Sequence, residues 1–152
     1  MRILEVLQKD TINTELKSTD KKGVIEELID SISRITGKDS EELVNVIMER
    51  ERLGSTGIGG GIGIPHGKLK NLESLILGFG LSRKGVDFES MDGRPTHLFF
   101  LILTPENSTG LHLKLLSRIS RILKNESFKK KLLKATDNNE VYSIIREVDE
   151  DF

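Results

Sequence analysis

The sequence contains three histidines in 152 residues, and one of them stands where an imidazole could do chemistry. His66 ends the run Ile62-Gly63-Ile64-Pro65-His66 and is followed by Gly67. Pro65 fixes its own φ and restricts Ile64 to extended backbone. His66 is therefore expected at the end of a short strand over residues 62–65, with Gly67 letting the chain turn straight afterwards. An imidazole with one unprotonated ring nitrogen is a good nucleophile near neutral pH. Six of the 14 glycines fall between Gly54 and Gly63, in the run Gly54-Ser55-Thr56-Gly57-Ile58-Gly59-Gly60-Gly61-Ile62-Gly63. Such a loop can turn bare backbone N–H groups toward an anion. The hydroxyls of Ser55 and Thr56 stand beside those groups, although both also suit plain turn geometry. A nucleophile next to anion donors suits phosphoryl transfer, in which N–H groups, hydroxyls and a guanidinium would stabilise the transferred charge.

The nucleotide-binding glycine loops do not fit. A P-loop needs G-x-x-x-x-G-K-[ST], but Leu69 follows Gly67-Lys68 and Ile62 occupies the first glycine position. The dinucleotide fingerprint G-x-G-x-x-G fails from Gly57, where the sixth position is Ile62, and from Gly59, where it is Ile64. The loop also follows a helix and leads into a strand, the reverse of both motifs. His66, His97 and His112 lack the i, i+3 or i+4 spacing of helical metal ligands, and there is no cysteine. No metal site and no cofactor are expected, and cysteine nucleophiles and disulfides are excluded.

The elements that must hold these residues are legible from periodicity. Ile12, Thr14 and Leu16 alternate with polar neighbours and suggest an early strand. Asp20 can cap a helix over residues 21–36, whose inner stripe is Val24, Ile25, Leu28, Ile29, Ile32 and Ile35, with Gly37 ending it. Asp39 with Glu42 reads as a capping box for a second helix, burying Leu43, Val44, Ile47 and Met48 and stopping near Leu53. A structured loop is expected over residues 54–61. Strands follow over residues 75–81 and 96–103, with a Met91-Asp92-Gly93-Arg94 turn between them. One helix is marked by Leu111, Leu115, Leu116, Ile119, Ile122 and Leu123. A short helical segment over residues 127–134 comes next. Asp137 with Glu140 then caps a last helix that buries Val141, Ile144, Ile145 and Val148. The order ααβββαα predicts an α/β (α+β) fold, a mixed and largely central β-sheet flanked by helices on both sides, forming a single domain over residues 1–152.

Bulk properties agree. Twenty-three Lys and Arg against 24 Asp and Glu leave a net charge of −1, and the pI of about 6.3 argues against a nucleic-acid partner. The longest apolar run, Leu98 to Leu103, has six residues, far short of the roughly 20 a membrane helix needs. The first ten residues carry acids within their apolar stretch, unlike a signal peptide. A cytoplasmic location is expected. Lys129-Lys130-Lys131 reads as a solvated helix face, and His97 as a structural residue beginning a strand.

The run from Gly54 to Lys68 closely resembles the active-site signature of enzyme IIA domains of the fructose–mannitol type. These belong to the bacterial phosphoenolpyruvate-dependent sugar phosphotransferase system. The resemblance implies that His66 is the phosphorylated histidine, carrying the group on Nε2 (tele-phosphohistidine). Phospho-HPr would be the donor and an enzyme IIB the acceptor, with the membrane reached only indirectly through a sugar permease. It further implies that Arg50 and His112 bind or balance the phosphoryl charge, beside the loop whose Ser55, Thr56, Gly57, Gly59 and Gly67 are read from the residues themselves as the phosphoryl-binding donors. Taken as residues alone, Arg50 also suits the negative end of its helix, and His112 also suits a half-buried structural position. The family usually has alanine where this chain has Gly63. The nitrogen-type enzyme IIA proteins resemble the chain equally well around this run. Their phosphorylation state regulates partner proteins without sugar transport, and that is the alternative function.

Overall fold

The computed structural model describes residues 2–150. After one 3-10 turn (Ile3–Glu5), the chain forms strand β1 (Leu7–Asn13) and helices α1 (Lys21–Thr36) and α2 (Ser40–Arg52). Strands β2 (Gly57–Gly59), β3 (Ile62–Gly63), β4 (His66–Leu69), β5 (Ile76–Val86) and β6 (Thr96–Pro105) follow. Helices α3 (Thr109–Ile122), α4 (Glu126–Lys134) and α5 (Asn138–Glu150) complete the chain. Among the described residues no helix is long and apolar enough to cross a membrane.

The sheet is mixed. It runs β1-β5-β6-β3-β2, with β4 also paired to β6. β5 and β6 are antiparallel, while β1 is parallel to β5 and both β3 and β4 are parallel to β6. Side chains alternate across β6 because successive strand residues point to opposite faces. Leu98, Phe100 and Ile102 enter the core formed with α3, α4 and α5. Phe99, Leu101 and Leu103 enter the core formed with α1 and α2. Helices thus cover both faces, as the sequence predicts.

Most terminators act as read. Gly23 N–H donates to Asp20 Oδ1 at 2.8 Å, and Gly37 ends α1 in the left-handed region at φ 71°. Asp137 Oδ1 accepts from Glu140 N–H at 2.8 Å, and Gly93 turns the chain at φ 71°. Four expectations are corrected. Asp39 makes no side-chain cap bond to α2. The early strand lies at Leu7–Asn13 rather than around residues 12–16, because β5 supplies the partner that fixes it. Leu111 is exposed, and the inner stripe of α3 begins at His112 with Leu115 and Ile119. Lys129 is not solvated like Lys130 and Lys131: its side chain is largely covered, near Gly60 and paired with Glu126 at 3.0 Å.

β3 and β4 are one broken strand. Ile62 pairs with Leu98, Gly63 with Phe99 and His66 with Ile102, a constant register across Pro65. Pro65 has no N–H for the ladder, but its carbonyl still accepts from Ile102 N–H at 2.9 Å. The interruption therefore leaves the alignment intact.

Candidate functional site

His66 is the first residue of β4, not the end of a strand followed by a turn. Gly67 continues that strand, beside Leu103. It is not among the glycines with positive φ. A Cβ there would sit 2.6 Å from Val46 Cγ1, so glycine is required for close approach of α2 and not for a turn. Along the broken strand the residues alternate: Ile62 and Ile64 belong to the core on the α3 side, and Leu69 to the core on the α1–α2 side. His66 and Lys68 therefore project on the α3 side.

His66 is half-buried. Its Nδ1 lies 2.9 Å from the Ile64 carbonyl oxygen. A carbonyl only accepts, so Nδ1 carries the proton and the neutral ring keeps its lone pair on Nε2. Burial pushes the imidazole pKa below its ordinary value. The Ile64 bond opposes that shift, Arg50 adds to it and Glu51 opposes it.

His112 lies with its ring centroid 5.2 Å from that of His66, the planes tilted by 56°. It sits in the first turn of α3 and is 6% exposed. Its Nδ1 is buried with no hydrogen-bond partner among the described residues. Burial lowers its pKa first, then the neighbouring His66 and Lys68. Lys68 Nζ reaches Thr109 Oγ1 at 3.3 Å, which brings a cation to the start of α3. Ser108 makes no side-chain cap bond there, so the positive end of the helix dipole is not offset by a capping side chain. Arg50, in the last turn of α2, donates from Nη1 to the Gly54 carbonyl at 2.8 Å. His66 is thus surrounded by Arg50, His112, Lys68 and a helix N-terminus, a set suited to a dianion on Nε2.

The polar groups of the glycine loop bond within the protein. Ser55 Oγ donates to the Phe88 carbonyl at 2.6 Å and accepts from Gly57 N–H at 3.0 Å. Thr56 is buried, and both its N–H and its hydroxyl are donated to the Glu51 carboxylate. Gly57 pairs with Gly63 in a tight hairpin, and Gly59, at φ 93°, faces Asp92. The polar groups of Ser55 and Thr56 and the Gly57 N–H are therefore already committed. The hairpin leads directly into the broken strand that carries His66. Gly63 is also packed: an added Cβ would meet Phe99, Thr96 and Phe88 at 3.3–3.4 Å.

His97 is structural, its Nδ1 2.8 Å from the Ser82 carbonyl. Among the described residues no three His, Cys, Asp or Glu side chains converge where they could hold a metal ion. A groove of about 1330 Å³ runs along α1 and β1, past Asp10, Glu27, Asp30 and Arg34, and its lining includes neither His66 nor His112. Glu51 and Lys68 are the residues that sequence reasoning missed. Lys68 was visible two positions after His66, the spacing that puts both on one strand face. Nothing local marked Glu51.

A family model described as "Phosphoenolpyruvate-dependent sugar phosphotransferase system, EIIA 2" matches residues 5–148. A nitrogen regulatory protein of Bradyrhizobium diazoefficiens is 39% identical over 145 residues, 95% of each chain. The fructose-specific EIIABC component of Bacillus subtilis is 40% identical over 151 residues, which are 98% of this chain and 24% of that protein. The crystal structure of the nitrogen regulatory protein IIA-Ntr from Neisseria meningitidis superposes with a TM-score of 0.87 at 32% identity, covering 93% of this chain and 97% of that one.

Proposed function

Because the chain belongs to the EIIA type 2 family of the phosphoenolpyruvate-dependent sugar phosphotransferase system, we propose that His66 is its phosphoryl carrier, phosphorylated on Nε2. The observation that carries this reading is the 2.9 Å contact between His66 Nδ1 and the Ile64 carbonyl, which leaves Nε2 as the free nucleophile. Nε2 attacks the phosphorus of phospho-HPr in line. The new N–P bond forms as the donor's N–P bond breaks, and the donor imidazole leaves. In the second transfer a thiolate of an enzyme IIB attacks, and His66 leaves as the neutral ring. Arg50 and Lys68 offset the phosphoryl charge in both steps, the neutral ring of His112 can offer it an N–H, and positioning does the rest. Leu53, just after Arg50, and Leu111 and Leu113, on either side of His112, are exposed. Apolar side chains there suit a protein partner better than a small solute.

The proposed physiological role is sugar uptake of the fructose–mannitol type, which the similarity to the fructose-specific EIIABC component favours. Regulation of partner proteins by phosphorylation state is the second reading. It is favoured by the match to a nitrogen regulatory protein along 95% of both chains. Incubation with phosphoenolpyruvate, enzyme I and HPr is expected to give one acid-labile, base-stable phosphate on Nε2 of His66. Retention of that phosphate by His66→Ala would overturn the site. Transfer onward to a sugar-type IIB supports uptake; failure with every IIB of the organism rejects uptake and leaves regulation.

A further inference from the structure

The most deeply buried carboxylate near His66 does not face it. Glu51 closes the last turn of α2, and its side chain is only 1% exposed. One oxygen is paired with Lys21 Nζ at 3.0 Å, from the first turn of α1. The carboxylate also accepts the Thr56 N–H at 3.2–3.3 Å and the Thr56 hydroxyl. From Thr56 a chain of bonds leads to the site. The Thr56 carbonyl accepts the Ile64 N–H at 3.0 Å, and the Ile64 carbonyl lies 2.9 Å from His66 Nδ1.

We propose that Glu51, held by Lys21, is a positioning residue for His66: through Thr56 and Ile64 it fixes the carbonyl that holds the Nδ1 proton and so presents Nε2. This rests on the reading of His66 as the phosphoryl carrier. A buried ion pair is a costly way to join α1 to α2 behind the loop, and an uncharged contact would do that alone. The charge has a second use. Arg50 and burial make the imidazole less basic, and Glu51 acts in the opposite sense. The cation that suits the phosphoryl group would weaken the nucleophile, and the carboxylate behind the loop offsets part of that effect.

The experiment is nitrogen-detected NMR of the His66 ring in the unphosphorylated full chain, with the transfer rate from phospho-HPr measured in parallel. Besides Glu51, the charged and titratable groups around the ring are Arg50, His112 and Lys68, and they stay unchanged in every variant. Glu51→Gln is expected to lower the His66 pKa, to admit the tautomer protonated on Nε2, and to slow transfer by about tenfold through misplacement. Lys21→Met, which leaves the carboxylate uncompensated, is expected to raise the His66 pKa. Opposite shifts support the proposal, since a brace without electrical effect would move neither. Unchanged His66 shifts and titration in folded Glu51→Gln would overturn it. If Glu51→Gln does not fold, Lys21→Met decides alone: a raised pKa supports the proposal and an unchanged one overturns it. If the wild type is not phosphorylated on His66, the carrier reading fails, while the tautomer and titration still test positioning.

Discussion

Gly67→Ala tests whether this glycine serves a strand or a turn. The added methyl would be 2.6 Å from Val46 Cγ1 and 3.4 Å from Ile47 Cδ1. Normal carbon contacts lie near 3.5–4.0 Å, so about 1 Å must be found between β4 and α2. Val46 is β-branched on a helix and has essentially one relaxed χ1 rotamer. It cannot swing aside, and the strain is expected to cost about 1–3 kcal/mol. For a chain of this length that lowers the melting temperature by roughly 2–12 °C. Truncating the obstacle should cure it. Val46→Ala alone removes a half-buried side chain from a helix, where alanine gains propensity, and should change stability by about 1 kcal/mol or less. The double variant should regain most of what Gly67→Ala lost, with a favourable coupling of about 1 kcal/mol or more in urea unfolding. A turn with left-handed backbone at residue 67 would give a different result, because alanine strain there resides in φ and Val46→Ala would not relieve it. Strict additivity of the two substitutions would refute the steric argument and with it the assignment of Gly67 to β4.

Two further outcomes follow from the same structure. Burial first, with Arg50 acting the same way, lowers the His66 pKa, and burial with His66 and Lys68 lowers that of His112, both from 6.5. Both folded values lie below the unfolded one, so the unfolded chain binds these protons first. Stability from these groups is full above pH 6.5 and falls as the pH drops through the folded values. The neutral nucleophile should likewise persist below pH 6.5, and a ring titration of His66 centred at or above 6.5 would contradict this. Asp149 is 1% exposed, accepts from Ile3 N–H at 3.0 Å and Leu4 N–H at 3.1 Å, and pairs with Arg118 at 2.8 Å. Asp149→Ala should cost about 3–5 kcal/mol in chemical denaturation without altering the tautomer of His66. A loss below about 1 kcal/mol would show that the clamp does not hold the chain ends.

Much of this protein follows from local sequence. The limits of α1 are set by Asp20 and Gly37, which act on the chain within a few residues of themselves. The alternation through β6 and the stop of α2 at Leu53 were legible for the same reason, and so was His66 as the candidate nucleophile. Pro65 and the glycines signal their effect at their own positions. Tertiary structure decided the rest. Gly67 looks like a turn residue until α2 is laid across it, and the strand that contains it exists because β6 supplies a partner. The 5.2 Å approach of His112 to His66 depends on where α3 lands on the sheet. That Ser55 bonds to Phe88 and Thr56 to Glu51 shows only in the fold, because those partners lie on other elements. Glu51 itself carried no mark, since its partner Lys21 lies 30 positions earlier. The sequence by itself determined which residue could bear the phosphoryl group. Only the packing of two helices and a broken strand decided which side chains stand around that ring, because those depend on contacts between residues far apart in the chain.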